Sequence, residues 1–178
     1  MESRQKALAE LQTSRTSNKL FASFRRLIEL TQDFRDILIE LTDAGADFVL
    51  VGGYAVGFHG HQRATKDIDI LIQPTDENAR RVFNGLLAFG APMESLDVTE
   101  SDLANFSGVV QIGIPPNRID ILTRISGVTY GEISEEIAEF ELEGRTIKVI
   151  GLNALLKNKL AAARDQDLLD VEALKRIL

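Results

Sequence analysis

Three aspartates and a glycine pair are the residues of this chain whose types and spacing could do chemistry. Lys66-Asp67-Ile68-Asp69-Ile70-Leu71-Ile72 alternates strictly, and in a strand successive side chains point to opposite faces. Ile68, Ile70 and Ile72 therefore share a face that should bury, while Asp67 and Asp69 share the other, one pleat apart. Two like charges so placed repel and raise each other's pKa, and a divalent cation between them removes that penalty. Carboxylate oxygens with room left for water and phosphate suit Mg²⁺ or Mn²⁺. A half-solvated strand with an acidic outer face has the same pattern, so Asp-x-Asp alone leaves both readings open.

Two further features bear on the choice. Val51-Gly52-Gly53-Tyr54 runs from an apolar strand through two glycines into a helix. Glycine lets a phosphate approach the backbone, and a helix start offers amide donors. A tight turn needing positive φ would use the same residues. The run is neither a P-loop nor a Rossmann fingerprint, since neither Lys-Ser/Thr nor Gly-x-Gly-x-x-Gly is present there. In Arg118-Ile119-Asp120-Ile121-Leu122, Asp120 lies between two isoleucines and points away from them. If that strand neighbours the first, three carboxylates meet, enough for two metals about 3.5–4 Å apart in an in-line phosphoryl displacement. Otherwise Asp120 is an exposed strand residue.

The elements that must position these residues follow from periodicity and punctuation. Met1 to Asn18 is polar and reads as an arm; residues 1–20 are assigned to it and 21–178 to one domain. Apolar residues recur at helical spacing from about Leu20 to Leu41, and Gly45 stops that helix. Phe48 to Val51 is a short buried strand, Tyr54 to Phe58 a helix start, and Lys66 to Ile72 the clearest strand. A helix from about Glu77 to Ala88 closes at Gly90. Val109–Ile114 and Arg118–Thr123 form a hairpin around Pro115-Pro116-Asn117, and a second pair, Ala138–Leu142 and Thr146–Ile150, flanks Glu143-Gly144-Arg145. Helices near Leu152–Ala163 and Asp167–Leu178 end the chain. Consecutive strand pairs imply antiparallel pairing, hence an α+β fold with a mixed sheet flanked by helices.

Several other polar residues sit near these features. Leu152, Leu155, Leu156, Leu160 and Ala163 form a helical stripe with Lys159 near its centre. A lysine there either snorkels out or reaches a charged partner, whereas Lys157 falls off the stripe into solvent. Arg63, just ahead of the carboxylate strand, is either a phosphate contact or surface charge. Asp167 and Asp170 read as residues that cap the last helix and complement its dipole. His59 and His61 have no cluster that would make them metal ligands and read as loop or helix-end polarity.

Composition narrows the function classes. The 178 residues include no cysteine, which excludes disulfides, thiolate metal sites and a cysteine nucleophile. The net charge of −7 argues against broad, nonspecific attraction to nucleic acid, so a polyanionic substrate needs a local basic groove or metal ions. No stretch approaches the roughly 20 apolar residues of a membrane span, and Met1 to Lys19 lacks a signal-peptide core. No membrane role and a cytoplasmic location are therefore expected.

Val51-Gly52-Gly53, thirteen intervening residues and Asp67-Ile68-Asp69-Ile70 resemble the signature of the DNA polymerase β-like nucleotidyltransferase superfamily. Asp120 stands where that superfamily's third carboxylate is expected. More closely, over roughly Asp47 to Leu174, the chain is similar to small bacterial nucleotidyltransferase-like proteins related to the AbiEii and MenA toxin group. Gly53 to Leu71, with His61, Arg63 and Thr65, and Leu152 to Leu174 carry that likeness. The resemblance implies a palm-like fold and transfer of a nucleoside monophosphate from an NTP to an acceptor hydroxyl, releasing pyrophosphate. The implied acceptor is an RNA end or a protein side chain, and a cognate toxin or antitoxin is an implied partner. Asp67 and Asp69 would hold two Mg²⁺ (or Mn²⁺) ions, and Asp120 would position or deprotonate the acceptor. Gly52 and Gly53 would admit the phosphates, with Arg63 and Lys159 as secondary contacts. Relatives often carry lysine where Gln166 stands here, which puts basic contact there in doubt. A noncatalytic binding protein on the same fold, or a metal-dependent phosphohydrolase using the same carboxylates, remains open.

Overall fold

The computed structural model describes residues 30–105 and 108–177. The expected arm at 1–20 and residues 21–29 of the expected Leu20–Leu41 helix lie outside these residues, and that helix is not continuous as expected, since Leu30 and the extended Thr31 precede a helix that begins at Gln32. Helix α1 (Gln32–Asp43) is entered through Thr31, whose side chain accepts from the Phe34 N–H at 3.4 Å. Its buried residues Phe34, Ile37, Leu38 and Leu41 follow i, i+3, i+4, i+7 spacing, which puts them on one face. Gly45, at φ +70°, follows its last turn.

Strand β1 (Phe48–Val51) is buried along its whole length, since it has a neighbour on each side in the middle of the sheet. Helix α2 (Gly52–Phe58) follows directly and begins two residues earlier than Tyr54. Strand β2 (Asp67–Ile72) buries Ile68, Ile70 and Ile72 and leaves Asp67 and Asp69 partly exposed, as its alternation requires. Helix α3 (Asp76–Phe89) is capped by Thr75 at one end and by left-handed Gly90 at the other.

Two short helices were not expected: α4 (Glu100–Asn105) and, after strands β3 (Val109–Ile112) and β4 (Arg118–Leu122), α5 (Tyr130–Ser134). Each follows a Thr-x-x-acid signal. Thr99 and Asp102 exchange backbone–side-chain hydrogen bonds, and Thr129 and Glu132 form a capping box. Strands β5 (Ile137–Leu142) and β6 (Arg145–Ile150) lead to helices α6 (Leu152–Ala162) and α7 (Asp165–Lys175).

The six strands form one sheet in the order β3-β4-β2-β1-β6-β5. The pairs β1–β2, β3–β4 and β5–β6 are antiparallel, whereas β1–β6 and β2–β4 are parallel. The expected mixed α+β architecture is therefore present. Its consequence for chemistry is that β4, far along the chain, lies beside β2. Helices α1 and α3 pack together, and α6 packs on α7 and touches α2. The stripe on α6 is narrower than its sequence suggested, because Leu160 and Ala163 are exposed at the chain reversal into α7. Among the described residues no helix is long and apolar enough to cross a membrane.

Candidate functional site

Parallel pairing sets Asp69 directly opposite Asp120, and Asp67 opposite Arg118. The three aspartates thus share one sheet face and line a cleft of about 550 Å³. Gly52, Gly53, Arg63, Lys159 and Asp167 line the same cleft. Every residue singled out for chemistry from the sequence has come to one place.

The glycine pair's first task is to seat a carboxylate. Gly52 has φ +63°, and a Cβ there would lie 1.8 Å from Asp69 Oδ2. A Cβ on Gly53 would lie 2.7 Å from Thr65 Oγ1. The Gly53 N–H hydrogen-bonds to Asp69, so one of the amides expected to meet a phosphate is already engaged. The pair therefore brings the β1–α2 turn onto β2.

The carboxylates divide by environment. Asp67 is about a third exposed and accepts from Thr65 Oγ1 at 3.1 Å. Asp120 is buried. Burial, and then the charges of Asp67 and Asp120, push Asp69 up to about 6, against the pull of Lys159 and the Gly53 N–H. Arg118, which was read only as the start of a strand, is the cation among them. Its Nη2 donates to Asp67 Oδ2 at 2.5 Å and to Asp120 Oδ2 at 2.9 Å, while its Nε donates to Asp120 Oδ1 at 2.8 Å. Its hydrogen bond with Asp120 raises its own pKa further. The signal was present: Arg118 stands two residues before Asp120 on a strand, hence on the same face.

A buried ionic cluster forms the opposite wall. Lys159 does not snorkel; its Nζ lies 2.7 Å from Asp167 Oδ1 and 3.1 Å from Asp170 Oδ2. Arg63 is not a free surface charge, because it forks onto Asp170 at 2.7 and 3.1 Å. Arg164 Nε meets Asp167 at 2.7 Å, and Gln166 donates to Asp170 at 3.0 Å. Burial pushes both aspartates up, but these hydrogen bonds and charges outweigh it and hold them low.

The capping role read for Asp167 and Asp170 is corrected accordingly. Arg164 is the N-cap residue of α7, no side chain caps it, and both aspartates are buried in ion pairs. Asp167 still lies in the helix's first turn, where its charge suits the dipole. No sequence spacing could have tied Arg63 to Asp170, 107 residues away. His59 follows α2 and its Nε2 lies 2.7 Å from the Ile150 carbonyl, with burial lowering its pKa. This agrees with the helix-end reading.

The donor set suits a hard cation: three carboxylates on adjacent strands, of which the partly buried Asp69 has its hydrogen bond from the Gly53 N–H rather than from a cation. As the side chains stand, however, no three metal-ligating groups among the described residues converge on one point, and Arg118 engages two of the three carboxylates. Residues 30–178 match the model of a protein family described as nucleotidyl transferase of unknown function (DUF2204). No curated protein matches the chain.

Proposed function

The chain belongs to the DUF2204 family of nucleotidyl transferases, and from that premise we propose that it moves a nucleoside monophosphate from an NTP to an acceptor hydroxyl. The observation that carries this reading is the register of β2 with β4, which sets Asp69 beside Asp120 and next to Asp67 in an open cleft. The mixed six-stranded sheet is compatible with the palm-like arrangement this reading expects.

Asp67, Asp69 and Asp120 would hold Mg²⁺ or Mn²⁺, which supplies charge neutralisation of the triphosphate and acidifies a bound hydroxyl. The acceptor oxygen attacks the α-phosphorus, the bond to the β-phosphate oxygen breaks, and pyrophosphate leaves. Asp120, on the strand face beside Asp69, positions the acceptor and takes up its proton. Gly52, lacking a Cβ, lets the Asp69 carboxylate lie against the turn, and with Gly53 it would admit the phosphates beside that carboxylate. Lys159 and Arg63 act through position: three cations face two carboxylates in their cluster, which leaves that wall of the cleft positive. An RNA end or a protein side chain is the proposed acceptor, and a cognate toxin or antitoxin the proposed partner.

Ligand-dependent thermal stabilisation tests the reading. The protein is heated with each NTP, with and without Mg²⁺, beside an Asp67→Asn/Asp69→Asn control. A ligand bound only by the folded state raises the melting temperature by mass action. A rise that needs both Mg²⁺ and the carboxylates is expected, followed by transfer of α-phosphate label to an acceptor. Stabilisation without metal dependence or transfer would favour a noncatalytic binding protein. Release of nucleotide with no labelled acceptor would favour a phosphohydrolase.

A further inference from the structure

We propose that Arg118 stands in the divalent cation's place, and that metal binding displaces it toward the cleft mouth, where its guanidinium meets the phosphates of the nucleotide. This rests on the reading of Asp67, Asp69 and Asp120 as a metal site.

One nitrogen, Arg118 Nη2, bridges Asp67 and Asp120 at 2.5 and 2.9 Å. That is the task of a bridging cation, performed by a side chain. The arrangement explains why three carboxylates on one sheet face do not converge on a common point among the described residues: two are turned onto the guanidinium and the third onto the Gly53 N–H. Charge-assisted, forked hydrogen bonds to carboxylate are strong but break without backbone movement. Arg118 Cα is fixed by the β2–β4 ladder opposite Asp67, while its side chain is about a quarter exposed and so borders solvent.

Other cations at the cleft are less able to move. Lys159 is held by two buried carboxylates and Arg63 by a two-point fork onto Asp170. Arg164 lines the cleft too, but its hydrogen bonds go to Asp167, so Arg118 is the cation hydrogen-bonded within the three-aspartate site and the one a metal there would displace. Replacing one positive charge by two at the carboxylates lowers their mutual repulsion, and the released guanidinium adds positive charge where a triphosphate lies. Metal and nucleotide binding should consequently reinforce one another.

The experiment uses the full chain. Mn²⁺ binding is followed by loss of the free-ion EPR signal in wild type, Arg118→Gln, Arg118→Lys and Asp69→Asn, with circular dichroism melts to establish folding. Without nucleotide, Arg118→Gln should bind Mn²⁺ about fivefold to tenfold more tightly than wild type, because the two ion pairs of Arg118, with Asp67 and Asp120, need not first break. Arg118→Lys should fall between them. With Mn²⁺ saturating, Arg118→Gln should bind NTP more weakly.

A second measurement needs no variant to fold. In ¹H–¹⁵N spectra of the wild type, Mg²⁺ should shift the Arg118 Nε–H resonance and speed its exchange, leaving that of Arg63 unchanged. Wild-type Mn²⁺ binding that Arg118→Gln matches or weakens, with an unmoved Nε–H, would overturn the inference while sparing the metal site. Arg118 would then be a fixed positioning residue for Asp67 and Asp120. No Mn²⁺ binding at millimolar concentration in any of the proteins would overturn both.

Discussion

Replacing Asp69 by asparagine should stabilise the metal-free protein at neutral pH. The carboxyl is pushed from 3.8 to about 6, by burial first and by Asp67 and Asp120 next. A raised folded-state pKa means that the folded chain binds the proton more tightly than the unfolded chain does. Below about pH 4 both states are protonated and Asp69 costs nothing. From about pH 4 to about pH 6 the unfolded state ionises while the folded state resists, so stability falls; above that the penalty is complete. A shift from 3.8 to about 6 corresponds to about 3 kcal/mol. Asparagine removes the charge and keeps an oxygen for the Gly53 N–H, but must fit an NH₂ group close to Gly52. The expected net gain is therefore about 2 kcal/mol, or about 5 °C in melting temperature for a domain of this size. Urea unfolding of Asp69→Asn and wild type in EDTA, from pH 4 to pH 8, measures it. The difference should open between pH 4 and pH 6 and then stay level. Added Mg²⁺ should close it from the other side by stabilising only the wild type. A variant no more stable than wild type at pH 7, or a difference unchanged between pH 4 and pH 7, would refute the reasoning.

Other perturbations separate the site from its scaffold. Gly52→Ala and Gly45→Ala both force a Cβ onto a left-handed residue, at φ +63° and +70°, but only the first meets another atom. Gly45→Ala should cost about 1 kcal/mol in urea unfolding, whereas Gly52→Ala should cost at least about 2 kcal/mol and weaken Mn²⁺ binding by dislodging Asp69. Lys159→Met leaves Asp167 and Asp170 buried with fewer cations and should cost about 3 kcal/mol. Lys157→Ala removes an exposed pair with Glu132 and should cost under about 1 kcal/mol; equal losses would mean that the buried cluster is not coupled. Thr129→Ala should cost about 1 kcal/mol through its lost capping box, with Mn²⁺ affinity unchanged.

Local rules carried much of this protein's architecture. Alternation along Lys66–Ile72 put Asp67 and Asp69 on one face and the isoleucines on the other, because pleating leaves no alternative. Helical spacing of Phe34, Ile37, Leu38 and Leu41, and glycine stops at Gly45 and Gly90, placed the ends of two helices to within a few residues, but spacing alone missed the start of the first, which Thr31 caps. Two hairpins followed from their turn residues, whereas the parallel pairs that make the sheet mixed join strands distant in the chain. The short helices α4 and α5 escaped because one turn has too few positions to show a period, although their Thr-x-x-acid caps were legible.

The partners across the site were not legible, because they depend on which distant segments become neighbours. Nothing in the spacing of Arg118-Ile119-Asp120 says that its strand lies parallel to β2, yet that placement makes three aspartates one site and sets Arg118 between two of them. The same holds for Arg63 and Asp170, and for Lys159, whose two possible environments differ only in what α7 brings over it. Periodicity is a property of neighbouring residues, so it assigns a side chain to a face. What stands opposite that face, and hence whether a charge is solvated, paired or raised in pKa, is set when the chain folds back on itself.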